Sequence, residues 1–128
     1  MTASRNLRVL VADDDPIQLR LAARLLRSLG HSGALASNGR IALDLLEKQT
    51  FDLLLLDLQM PVMGGLETLA ALKSRRERGA PTVPVVLVSG DDLSHNWSFY
   101  RDAGAQAHLV KPLDIGPLGD LLKRVSWV

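Results

Sequence analysis

A chain of 128 residues, 47% hydrophobic and 23% charged, is globular, and residues 1–128 read as one domain with a single core. Its apolar runs fall far short of the roughly 20 residues a membrane span needs, the opening Met-Thr-Ala-Ser-Arg-Asn carries no apolar signal region, and a net charge of +1 sets up no field toward nucleic acid or membrane. Without cysteine there is no disulfide and no thiolate metal site, which fits a cytoplasmic protein.

Leu7 to Ala12 is a short apolar strand interrupted by Arg8, and it ends in Asp13-Asp14-Asp15-Pro16. Asp15 can cap a helix whose first turn holds Pro16. Ile17, Leu21, Leu25 and Leu29 keep a 3.6-residue stripe, and Gly30 is a natural stop. Ala34 to Ala36 is a weak strand, and Asn38-Gly39 turns into a second helix with Ile41, Leu45 and Leu46 on one face and Lys48 near its end. Leu53-Leu54-Leu55-Leu56-Asp57 reads as a strand buried on both faces, as in the middle of a parallel sheet. Pro61 forbids the ladder from continuing.

Gly64-Gly65 breaks the chain before a helix bearing Leu66, Leu69, Ala70 and Leu72, and Arg75, Arg76 and Arg78 beside Glu77 read as its solvated end. After a Gly/Pro-containing loop at 78–84, Val85 to Val88 is another apolar strand, ending at Ser89-Gly90. The spacing predicts a helix over 91–103, weakened in propensity by His95, Asn96, Trp97 and Ser98 and ended by Gly104. Ala107 to Val110 is the last strand, running into Lys111-Pro112, and a closing helix extends from Asp114 to about Val125.

Strand–helix alternation repeated five times specifies an α/β fold, a parallel sheet covered on both faces through right-handed crossovers. The Asp13 cluster, Asp57, Ser89 and Lys111 all fall where a strand ends, so they crowd the rim of the sheet at which open α/β folds bind ligands. Clustered carboxylates repel unless something compensates. Oxygen donors without His or Cys suit a hard cation, Mg²⁺ or Mn²⁺. Lys111 places a fixed cation on the same rim, able to pair with Asp57 or with a phosphoryl group carried by it, and Ser89 offers a hydroxyl. Together these make a phosphoryl-transfer site with a carboxylate nucleophile. The plainer alternatives are that Asp57 only terminates its strand and that the acidic run only caps a helix, although three acids for one cap is excessive.

In this order and spacing, Val9-Leu10-Val11-Ala12-Asp13-Asp14-Asp15-Pro16, Leu56-Asp57-Leu58-Gln59-Met60-Pro61 followed by Gly65, Val88-Ser89-Gly90 and Val110-Lys111-Pro112 make the chain resemble, over essentially its whole length, the receiver domains of two-component response regulators. The resemblance implies a (βα)5 doubly wound sheet of flavodoxin-like strand order 2-1-3-4-5. It implies Asp57 as phospho-acceptor, and Asp13 and Asp14 as the pair that holds Mg²⁺ with Asp57 and the backbone carbonyl of Gln59. It also implies Ser89 and Lys111 as the hydroxyl and lysine that turn to the phosphoryl group, and Gln59 and Asp91 as positions that tune its lifetime. Three residues before Lys111 the family usually has Tyr or Phe; here His108 stands there and is either a surface histidine or a switch. Gly90 replaces the more usual Ala, and Gly64 the usual Asp or Asn. Trp97, Phe99 and Tyr100 are unusual aromatics for the fourth helix; exposed aromatics can anchor an interface, yet the spacing predicts that at least one packs on the sheet.

The expected function is therefore a phosphorylation switch rather than a conventional enzyme, catalysing only its own phosphorylation and dephosphorylation. A histidine kinase or histidine phosphotransfer protein is the implied donor. The readout is the face formed by the fourth helix, fifth strand and fifth helix, toward a downstream protein or a covalently linked output domain, with a phosphorylation-dependent homodimer compatible and no direct nucleic-acid or membrane partner. A single-domain regulator and a piece of a larger or hybrid protein both remain open. The main rival is an aspartate-nucleophile phosphatase of the haloacid-dehalogenase type, which needs an acid two residues after its nucleophile. Gln59 occupies that place after Asp57; Asp13 and Asp15 have the spacing, but 128 residues leave no room for a substrate-capping domain. A pseudo-receiver that only binds partners is the other alternative, and the complete acid set with Lys111 argues against it.

Overall fold

The computed structural model describes residues 6–124, so the predicted helix end at Val125 lies outside the described residues. The elements are β1 (Arg8–Ala12), α1 (Pro16–Ser28), β2 (Ser32–Ala36), α2 (Gly39–Lys48), β3 (Leu53–Asp57), α3 (Gly65–Glu77), β4 (Val85–Ser89), a 3₁₀ turn (Ser94–Asn96), α4 (Trp97–Asp102), β5 (Ala107–Val110) and α5 (Ile115–Arg124). All strand pairs are parallel and the sheet order is β2-β1-β3-β4-β5. The five strands and the strand order implied by the resemblance are thus present. Among the described residues no helix is long and apolar enough to cross a membrane.

β3 holds the centre because Leu53 to Leu56 present apolar side chains to both faces, and all four are fully buried. Alternation along the strands divides the core. Leu53 and Leu55, with Val9, Val11, Val86 and Val88, pack on Ala22 and Leu26 of α1 and on Leu118, Leu121 and Leu122 of α5. Leu54 and Leu56, with Leu10, Ala12 and Leu87, pack on Ala42 of α2, Leu69 of α3 and the α4 segment. Each such side chain removed from water contributes about 1.5–3 kcal/mol.

The helices start where expected. Asp15 Oδ1 accepts from Ile17 N at 2.9 Å with Pro16 at the first helical position, and Asn38 Oδ1 accepts from Ile41 N at 2.9 Å. Gly30 ends α1 with φ +86°, a left-handed conformation that favours glycine. The buried faces, however, differ from the predicted stripes. On α1 the buried residues are Ala22 and Leu26; Leu21, Leu25 and Leu29 flank them, and Ile17 is exposed. On α2 they are Ala42 and Leu43, with Leu45 and Leu46 partly covered and Ile41 exposed. On α3, for which no face is predicted, the buried residues are Gly65, Thr68 and Leu69, whereas Leu66 and Ala70 face solvent. Ile17, Ile41 and Leu66 have in common a place in the first turn of their helices, at the strand-end rim.

The predicted helix over 91–103 is a 3₁₀ turn followed by six α-helical residues. Asp92 Oδ1 captures both Ser94 N (2.9 Å) and Ser94 Oγ (2.6 Å), offering the backbone an alternative to helix. Trp97 and Tyr100 then pack on the core while Phe99 is exposed, as expected for at least one of the three. The arginine cluster is less free than predicted: Arg75 reaches Glu47 of α2 at 2.7 Å, and Arg78 folds back onto Ser74.

Candidate functional site

The register sets Ala12 beside Leu56, Asp57 beside Val88, and Ser89 beside Val110, so the residues at or just past these strand ends converge. Asp13, Asp57 and Ser89 are buried, an unusual state for polar residues unless they are partnered. Lys111 supplies a partner: its Nζ lies 3.0 Å from Asp13 Oδ2 and 3.2 Å from Asp57 Oδ2. The Lys111 backbone is itself pinned, N donating to Ser89 O at 2.7 Å, and the Lys111–Pro112 peptide is cis. Asp13 Oδ1 accepts from Asp15 N at 2.9 Å, which holds one carboxylate oxygen toward α1 and leaves the other for Lys111.

Asp14 is exposed, yet one of its carboxylate oxygens lies within 4.8 Å of oxygens from Asp13 and Asp57. Burial pushes the Asp57 carboxyl above its ordinary value and the Asp13 charge adds to this, while Lys111 and the Gln59 backbone N–H, both hydrogen-bonded to the carboxylate, pull it back. Burial pulls the Lys111 ammonium down, but its hydrogen bonds to Asp13 and Asp57, and their charges, outweigh that and hold it above its ordinary value. One lysine thus pairs with two of the three clustered carboxylates. A cluster of oxygen donors carrying this excess negative charge fits a hard divalent cation.

Ser89, Gly90 and Asp91 also line the cleft, where Ser89 Oγ accepts from Asp91 N at 3.1 Å. Gln59 lines the cleft between Leu58 and Met60. Gly90 is open to solvent, and a Cβ there would meet nothing within 4 Å, so the departure from Ala does leave room. His108 is not among the residues lining the cleft. Half-buried on β5, its ring lies 4.8 Å from that of Trp97, and its Nδ1 is buried without a hydrogen-bond partner. Gly64 still forms the entry to α3, its N–H donating to Glu67 Oε1 at 3.2 Å.

Two supporting residues are more important than the sequence reading suggested. A Cβ on Gly65 would fall 2.6 Å from Asp57 O and 2.8 Å from Leu58 Cα, so only glycine lets α3 start against the end of β3. The Gly64-Gly65 pair signalled a break but not this close approach. Thr68, fully buried, donates from Oγ1 to Gly64 O at 2.8 Å and lies against Gly39 at the start of α2. A threonine beside Leu69 gives no pattern signal that it faces inward.

The response regulator receiver domain family model matches residues 9–123. The chain is 34% identical over 119 residues to the transcriptional regulatory protein ZraR of Escherichia coli (strain K12), covering 93% of this chain and 26% of that protein. It is 34% identical over 118 residues to the sensory/regulatory protein RpfC of Xanthomonas campestris pv. campestris, covering 92% of this chain and 16% of the other. The chain therefore spans only about a quarter or less of the length of these relatives. Among solved structures, the Vibrio cholerae chemotaxis protein CheY4 superposes with a TM-score of 0.83 at 28% identity, covering 95% of this chain and all of that one. The receiver domain of the Pseudomonas aeruginosa sensor histidine kinase PA1611, solved with a magnesium ion in its active-site cleft, superposes at 0.79 and 26% identity, covering 94% and 97%. With the strand order and the family match in agreement, the chain belongs to the response regulator receiver domain family of two-component signalling.

Proposed function

We propose that this receiver is a phospho-accepting switch in which Asp57 is the acceptor. The observation that supports this best is the buried Asp57 carboxylate at the floor of the cleft, tied by Lys111 to Asp13 and grouped with Asp14. A phosphohistidine of a histidine kinase or phosphotransfer protein is the donor: its N–P bond breaks as an Asp57 Oδ–P bond forms, and the imidazole is released. Asp13, Asp14, Asp57 and the Gln59 carbonyl are the groups that would hold Mg²⁺ or Mn²⁺. Held there, such an ion would supply positive charge against the carboxylates and the phosphoryl oxygens.

Lys111 is already oriented on Asp57 and moves its contact to the phosphoryl group, while Ser89 exchanges its bond to Asp91 N for a bond donated to a phosphoryl oxygen. Gln59 and Asp91, both lining the cleft, govern how readily water reaches the acyl phosphate and so its lifetime. His108, against Trp97, carries the change from β5 to α4 and the α4–β5–α5 face. That face signals to a downstream protein, a linked output domain or a second copy. Residues 1–128 act as one receiver unit in the cytoplasm, within a single-domain regulator or a larger protein.

The test is intact mass after incubation with acetyl phosphate and Mg²⁺. Wild type gains one phosphoryl group and Asp57→Asn none. Equal gain in both, or no gain in wild type with Mg²⁺ binding also absent, overturns the reading and favours a module that only binds partners.

A further inference from the structure

A cavity of about 590 Å³ lies between α2 and α3, at the end of the sheet remote from Asp57. Small-molecule sites typically measure about 300–1,000 Å³ and combine apolar walls with a few placed polar groups. The floor here is apolar: Leu46, Leu72 and Val83 are partly covered and lie on the core cluster that contains Phe51. The rim is charged, with Lys48, Arg75 and Arg78 against a single carboxylate, Glu47.

Both walls are held in place. On the α2–β3 side Arg8 lies 4.8 Å over the Phe51 ring, and its guanidinium donates to Gln49 Oε1 and to Thr50 O. On the α3–β4 side Ala80 N donates to Arg75 O at 3.0 Å. Arg75 spans the two helices, with Nη2 2.7 Å from Glu47 Oε1 and Nη1 3.5 Å from Leu43 O. Arg78 donates to Ser74 through Nε and Nη2, which leaves Nη1 without an acceptor among the described residues. Lys48 has no ion pair among the described residues. Basic residues at helix ends offset the carbonyl dipole and need no ligand to explain them. Three of them converging with one acid around an apolar floor exceed that need.

We propose that this cavity binds an organic anion with an apolar body. The body covers Leu46, Leu72 and Val83, and the anionic head is held by Lys48, Arg75 and Arg78, the guanidinium groups supplying charge-assisted hydrogen bonds. The cavity shares no lining residue with the cleft around Asp57, so this inference does not rest on the phospho-acceptor reading.

The experiment follows backbone amide resonances of the full chain, labelled with ¹⁵N, on titration with three probes: octanoate, octylammonium and inorganic phosphate. Octanoate is expected to shift the amides of residues 46–51 and 78–83 saturably, with a dissociation constant on the order of millimolar for so small a ligand. Octylammonium, with the same tail and the opposite charge, and phosphate, a head without a tail, are expected to leave them in place at equal concentration. Arg75→Gln and Arg78→Gln should each weaken octanoate binding about tenfold, the loss of one charge-assisted hydrogen bond. Thr82→Trp, at an exposed lining position, keeps every charge, fills the cavity and should abolish binding. Equal shifts with octylammonium would mean a merely apolar cleft, and equal shifts with phosphate an ion on a basic rim; either overturns the proposal. So do octanoate shifts that are absent or scattered over other elements, and wild-type affinity in the arginine variants or in Thr82→Trp.

Discussion

At the scale of single residues, the site depends on groups that do no chemistry. Gly65 lets α3 begin in contact with the Asp57 backbone, and any Cβ there collides with backbone atoms that have nowhere to go. Gly65→Ala is expected to lower stability by roughly 1–3 kcal/mol, as overpacking does, and to slow acetyl phosphate incorporation as well; urea denaturation and intact mass on the same preparation read the two effects. At the opposite rim His31 Nδ1 accepts from Leu7 N at 3.0 Å, which requires the neutral imidazole, and burial holds its pKa below the ordinary 6.5. The unfolded chain then binds the proton more readily. The stabilisation is complete above about pH 6.5 and is lost as pH falls through that value toward the lower folded one. Urea midpoints should fall between about pH 7.5 and 5.5, and His31→Asn, which keeps an acceptor and loses the titration, should flatten that slope. The chemistry-bearing residues were legible because they sit in motifs at strand ends. Gly65's close approach and Thr68's burial were not, since both arise from contact between elements distant in sequence.

At the scale of elements, predictability tracks how strongly local pattern is reinforced by burial. The leucine run of β3 admitted one reading and was found there, flanked by β1 and β4. The helices were located correctly by Asp15, Asn38 and Gly30, but Ile17 and Ile41, which periodicity puts on the apolar faces, are exposed in the first turns of α1 and α2. Periodicity reports which residues share a helix face and cannot report where the supporting layer stops. The α4 segment is the weakest element: six residues is too short for a helix to persist without tertiary support. Its support is the ring series from His108 through Trp97 (4.8 Å) to Tyr100 (6.4 Å) and Phe99 (5.1 Å). Trp97→Ala should therefore raise amide hydrogen exchange across residues 97–102 while leaving β1, β3 and β4 protected. Uniform loss of protection would mean that α4 is integral to the global core.

At the scale of the whole molecule, the sheet is an instrument for bringing distant carboxylates together. β1 and β3 are neighbours in space with α1, β2 and α2 between them in sequence, and parallel pairing puts Asp13 and Asp57 at the same level. The resulting excess of negative charge is offset only in part by a single lysine from the end of β5, two strands from β3 in the sheet. In the switch proposed above, added phosphoryl charge would change what Lys111 and Ser89 bond to, and β5 and the β4–α4 connection would carry that change to the α4–β5–α5 face. The account turns on one carboxylate. After brief incubation with acetyl phosphate and Mg²⁺, reduction with borohydride converts an aspartyl phosphate to homoserine, and peptide sequencing by mass spectrometry locates it. Homoserine at position 57 is the predicted result; homoserine at 13, 14 or 91 with position 57 intact would contradict the account.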